Sequence, residues 1–186
     1  MSKKALSMAL ILTVVVSAYA TGLVYGGGCG SGGGGCGGGC NGGSTTQPLS
    51  EYEKQALSIA INEEYKARAI YREVLDQFSP IDPFTWILRD EQMHVNWLAN
   101  LHAKYGLKVP QDQWSGNVAL DLDSKQQACE LGAQAETDNA AAYDDMLPQI
   151  THSDIASTFT KLRDVSQYRH LPAFQRWADI YESIGE

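Results

Sequence analysis

A chain of 186 residues with net charge −8 and 44% hydrophobic residues is long enough to bury one substantial core and still carry a tail. The acidity argues against nucleic acid as a partner, and on its own it describes a solvated acidic surface rather than a cation site.

At the N-terminus, Lys3 and Lys4 precede an apolar run from Ala5 to about Tyr25, within which Ala18-Tyr19-Ala20 offers a small-x-small cleavage site. The run stays apolar through Leu23 and Val24, so its ~20 residues also suffice to cross a bilayer uncleaved. Residues 1–25 therefore read as a signal peptide or a membrane anchor, the only part of the chain expected to touch a membrane. The two lysines favour a cytoplasmic N-terminus, which places the remainder outside the cytoplasm, secreted or anchored.

Residues 26–48 form a glycine-rich tether interrupted by Cys29, Cys36 and Cys40. Such a composition cannot bury enough apolar surface to fold. Its cysteines suit soft metals, intermolecular disulfides or a lipid, but their spacing is not a paired C-x-x-C.

From Leu49 to Glu186 the periodicity is helical. A first helix over about 50–78 places Leu57, Ala60, Glu64, Ala67, Tyr71, Val74 and Phe78 on one stripe, so Glu64 interrupts an apolar row. Ser79-Pro80 ends it, and Asp82 followed by Pro83 suggests an N-cap with proline at the first helical position. The second helix presents Phe84, Ile87, Glu91, His94, Leu98, Leu101 and Tyr105, ending before Gly106. A third starts near Ser124, whose spacing to Gln127 resembles a capping box, and carries Cys129, Ala133, Glu136, Ala140, Tyr143 and Leu147. Cys129 on that stripe is most simply a buried thiol. The fourth opens near Ser153 or Asp154 and carries Phe159, Leu162, Ser166 or Gln167, His170, Phe174, Trp177 and Tyr181, with a kink expected at Pro172.

The linker 106–123 can reach ~60 Å when extended, whereas a helix of ~22 residues is ~33 Å long. It can run the length of a bundle and set the second and third helices parallel. The other connections are short. The fold class is thus all-α, a four-helix bundle with one long crossover.

The two halves of the domain match. Glu64 to Tyr71 and Glu136 to Tyr143 are both seven apart, while Glu64 to His94 is 30 and Glu136 to His170 is 34. Each half reads as a helical hairpin carrying half of a carboxylate-and-histidine metal site. Di-iron and di-manganese sites need hard oxygen donors to bridge and neutralise two cations, with imidazoles as terminal ligands.

Glu64-Tyr65-Lys66-Ala67-Arg68-Ala69-Ile70-Tyr71 and Glu91-Gln92-Met93-His94 resemble the first two ligand helices of rubrerythrin-like members of the ferritin-like superfamily. More narrowly, His170-Leu171-Pro172-Ala173-Phe174 resembles the His-Leu-x-Ala-Phe stretch that closes a ferritin-like family known as a domain of unknown function. The resemblance covers roughly 49–181. It implies a ferritin-like bundle whose metal ligands are Glu64, Glu91, His94, Glu136, His170 and Gln167, holding one or two ions, with iron ahead of manganese and zinc. The departure is Gln167, where the pattern expects glutamate. An amide carries no charge, so three carboxylates face two divalent cations and the second metal position is weakened.

The resemblance further implies ferrous oxidation or peroxide reduction if the site turns over, with a separate electron donor, since no C-x-x-C pair or flavin motif is present. A structural or surface-interaction bundle with a degenerate, metal-free site is the alternative, in which Arg68 and Arg169 would have to partner the buried carboxylates. Catalytic residues and substrate are not legible. Ferritin-like domains often form homodimers, but no stripe here is left over for a partner. Asp164 and Glu63 fall off the stripes, and His102 and His152 read as core or surface histidines. Tyr71 and Tyr143 read as core aromatics with hydroxyls anchored to neighbouring carboxylates.

Overall fold

A computed structural model describes residues 47–186; the expected signal or anchor (1–25) and nearly all of the glycine-rich tether (26–48) lie outside the described residues. Five α-helices follow: α1 (Glu51–Phe78), α2 (Phe84–Lys104), α3 (Lys125–Met146), α4 (Ser153–Val165) and α5 (Leu171–Ile184). A π-helical turn, Ser166–His170, joins the last two, so together they form the fourth rod of the bundle.

Local chemistry sets the boundaries. Ser50 and Glu53 form a reciprocal capping box at the start of α1. Ser124 caps α3 by accepting from the Gln127 N–H, but the Gln127 side chain accepts from Asp123 N–H at 2.7 Å instead of closing a box on Ser124. The expected Asp82 cap on α2 is also corrected: Pro83 occupies the N-cap position after a cis Asp82-Pro83 bond, with no side-chain cap. In the fourth rod the expected kink is a π turn on the N-terminal side of Pro172 rather than a bend beyond His170. Proline lacks the N–H for an α-helical bond, and the wider turn, closed by Leu171 N–H to Ser166 C=O, accommodates that loss.

Hydrogen bonds at the two ends fix the topology. At one end Tyr181 OH donates to Asp82 C=O at 3.0 Å and Gln126 N–H to Glu186 C=O at 3.0 Å. At the other, Thr151 and His152 bind Glu53, and Tyr105 OH donates to Asp154 at 2.8 Å. The linker between α2 and α3 crosses from the second end to the first along α1. Tyr65 OH reaches Pro110 C=O at 3.4 Å, Arg68 reaches Asp112 at 2.6 Å, and Gln77 reaches Leu122 C=O at 2.9 Å. With the return made by the linker, α2 and α3 run parallel, the single-crossover arrangement expected from the sequence. Among the described residues no helix is long and apolar enough to cross a membrane.

The apolar interior is divided. One cluster gathers around Leu57, Ile61, Leu98, Ile155, Phe159 and Leu162, and another around Tyr71, Val74, Phe84, Ile87, Cys129 and Phe174. Buried polar side chains from all four rods lie between them.

Candidate metal centre

Each rod contributes to that polar layer. Glu64 comes from α1, Glu91 and His94 from one face of α2, Glu136 from α3 and His170 from the π turn, each 0–1% exposed. Two groups of three result, Glu64/Glu91/His94 and Glu91/Glu136/His170, with the candidate ligand atoms of each group within 4.8 Å of one another.

Glu91 belongs to both groups and divides its oxygens between them. Its Oε2 lies 3.3 Å from His94 Nδ1, and its Oε1 lies 3.1 Å from His170 Nδ1. Glu64 Oε2 stands 3.1 Å from His94 Nδ1, and Glu136 Oε1 stands 3.3 Å from His170 Nδ1. The two imidazoles stack with centroids 5.6 Å apart. Glu91 thus stands between two carboxylate–imidazole pairs, an arrangement that could hold a metal ion on either side of it.

The tyrosines cross between the halves. Tyr71 OH from α1 donates to Glu136 Oε1 at 2.6 Å, and Tyr143 OH from α3 donates to Glu64 Oε1 at 2.5 Å. The hydroxyls anchor carboxylates as the sequence suggested, each on the opposite helix. Burial and the adjacent glutamates push both phenols well above their usual value, so they remain donors.

The electrostatics are those of tightly packed opposite charges. Burial alone would push the Glu64 carboxyl up, but the His94 charge and hydrogen bonds from His94, Glu91 and Tyr143 hold it at about 2. Burial, with the charges of Glu64 and Glu136, lifts Glu91 to about 7. Burial opposes protonation of the imidazoles, yet their carboxylate neighbours outweigh it and lift His94 to about 11 and His170 to about 10. An incoming cation would take the place of those protons.

Not every atom is satisfied. Glu91 Oε1, Glu136 Oε2 and His170 Nδ1 are buried without a hydrogen-bond partner. The first and last lie 3.1 Å apart but are not aligned for a hydrogen bond. Convergent polar atoms that make no hydrogen bond suit a shared third centre, since buried polar groups are normally paired.

Gln167 makes none of these contacts. It is half-buried in the π turn, while its neighbour Ser166 takes the buried place and receives Asn139 Nδ2 at 3.3 Å. Asn139 also donates to Glu64 Oε1 at 3.4 Å. Asp90, beside His170, and Asn139 escaped the sequence reading: the first looks like a surface residue next to a ligand, and the second sits in an alanine-rich stretch. Arg68 pairs with Asp112 and Arg169 with Asp90, so neither reaches the buried glutamates. Glu63 pairs with Lys66 and Asp164 with Arg163, away from the centre. His102 is buried on its own helix, its Nδ1 bonded to Leu98 C=O, and His152 bridges Glu53 and Gln47 C=O.

No family model and no curated protein matches the chain. Several solved structures resemble it, two of them hypothetical proteins. A hypothetical protein from Methanococcus jannaschii superposes with a TM-score of 0.66 at 25% identity, over 73% of this chain and 85% of that one. A conserved hypothetical protein from Mycobacterium tuberculosis gives 0.60 at 16% identity, over 69% and 91%. These likenesses are of a helical bundle.

Proposed function

We propose that this chain is a ferritin-like, exported metal-binding protein that holds one or two transition-metal ions at the Glu64/Glu91/His94 and Glu91/Glu136/His170 positions. The observation that carries the reading is the shared Glu91, one oxygen toward each histidine, in a layer where buried polar atoms converge without a hydrogen bond. Three carboxylates and two imidazoles are a mixed oxygen and nitrogen donor set suited to iron or manganese, with zinc behind them. When bound, such ions supply redox or Lewis-acid chemistry. The protein's own part is to fix the carboxylates through Tyr71 and Tyr143 and to keep the layer dry.

Export rests on the apolar run after Lys3 and Lys4. The donor set is the same whether the centre stores, senses or turns over metal, so ligand binding is the property to test first. The full chain is reconstituted with iron, manganese and zinc in turn, beside a His94→Ala/His170→Ala double variant, and bound metal is measured. Uptake of one or two iron or manganese ions per chain, lost in the double variant, is the expected result. Equal uptake by both proteins would remove the bundle centre and leave a structural bundle.

A further inference from the structure

We infer that the two halves of the centre are unequal, that the Glu91/Glu136/His170 position takes the first ion, and that Asp90 is the positioning residue of that half. This deepens the metal-binding reading and rests on it.

The first observation is a partner that only one imidazole has. His170 Nε2 lies 3.3 Å from Asp90 Oδ2, while His170 Nδ1 faces Glu91 and Glu136. With the Nε2 proton donated to Asp90, Nδ1 is the nitrogen that faces the centre, and a cation there would displace the Nδ1 proton. A carboxylate behind a ligand histidine fixes both ring orientation and tautomer. Asp90 is itself held from outside by Arg169, 3.4 Å away. Among the described residues no carboxylate plays that part for His94, whose ring lies against Trp97 at 5.5 Å.

The second observation is independent of the first. Glu91 Oε1, Glu136 Oε2 and His170 Nδ1 all belong to the Asp90 half, and all three are buried without a hydrogen bond. In the other half Asn139 Oδ1 is also unpaired, but both Glu64 oxygens are engaged: Oε1 accepts from Tyr143 and Asn139, and Oε2 is bonded to His94 Nδ1. A cation entering the His170 half meets two carboxylate oxygens, Glu91 Oε1 and Glu136 Oε2, that have lost water and gained no hydrogen bond. One entering the His94 half must first break an existing pair. Both differences favour the same position.

The test is a Co(II) titration of the full chain, in which uptake that persists in the His94→Ala/His170→Ala variant, as at Cys29, Cys36 and Cys40, is subtracted. His94→Ala should keep the tight binding step and His170→Ala should lose it. Asp90→Asn should weaken the tight step about 10- to 100-fold, leave any weaker step in place and leave the metal-free melting temperature unmoved. Asp90→Glu should restore part of the affinity. A tight step lost in His94→Ala but kept in His170→Ala, or an Asp90→Asn variant that binds like the parent, overturns the inference while sparing the metal site. A parent that binds no Co(II) beyond the double variant overturns both.

Discussion

At the scale of single residues, two buried glutamates show what separates a fully paired carboxylate from one left with an unpaired oxygen. Glu53 is fully buried, and its oxygens accept from the backbone N–H groups of Ser50, Thr151 and His152, the hydroxyls of Ser50 and Thr151, and His152 Nδ1. Glu136 is as deeply buried, yet its Oε2 has no hydrogen-bond partner. The Glu53 clasp ties the start of α1 to the connection before α4, and its loss should be felt throughout the fold. Glu53→Gln turns an amide toward some of those donors and should cost about 3 kcal/mol in urea unfolding. Although burial pushes the Glu53 carboxyl up, its donors hold it well below the ordinary 4.5. Its contribution is therefore present above pH 4.5 and fades as pH falls toward the folded value. The hydrogen bond to Glu53 raises His152 above 6.5, so that part is present below pH 6.5 and fades as pH rises through the folded value. The stability gap between parent and variant should be widest between about pH 5 and 6. A gap that is flat from pH 3 to 8 would show that neither group is linked to folding.

Among the elements, the close packing of α3 on α5 supports the centre from behind. A Cβ added to Gly132 would fall 2.6–2.8 Å from the Phe174 ring, closer than such atoms can approach. Phe174 in turn packs on Tyr71 and Phe84, with ring centroids 5.2 and 4.8 Å away, and Tyr71 holds Glu136. Gly132→Ala gains roughly 1 kcal/mol of helix propensity, but overpacking against an enclosed ring costs about 1–3 kcal/mol. The expected outcome is net destabilisation in denaturant, relieved by a second change, Phe174→Leu. Destabilisation that the second change does not relieve would place the defect elsewhere. Gly132 was invisible in the sequence because a glycine within a helical pattern says nothing about which ring lies over it. Glu64, Glu91, His94 and Glu136 were legible for the opposite reason: charged residues breaking an apolar stripe must find partners. The π turn marks the limit of such reading. Periodicity left Ser166 and Gln167 as equal candidates for the inward position, and one extra residue per turn, next to Pro172, decided for Ser166. Asp90 was missed because the partner it acts through lies on another rod, 80 residues away.

For the whole molecule, the division of the interior matters most. Two apolar clusters occupy the two ends of the bundle, and the layer between them is built from carboxylates, imidazoles, phenols, an amide and a hydroxyl. Apolar burial holds each end together, while the middle loses hydration and recovers it only in part through its hydrogen bonds, since several atoms stay unpaired. A cation there would join α1, α2, α3 and the π turn at one level and stabilise the region where apolar packing contributes least. Binding to the folded state alone at a hundredfold over Kd adds about 2.7 kcal/mol per ion. For a domain of this size that corresponds to a rise of roughly 6–10 °C in Tm. Heating the protein with excess Mn(II) or Co(II), and again after chelation, should therefore give a reversible shift of that order. The shift should vanish in the His94→Ala/His170→Ala variant, which lacks both imidazoles but keeps both apolar clusters. A shift that persists in the variant would move the bound ion out of the polar layer, and identical melting with and without metal would mean that the layer is held by its protons alone.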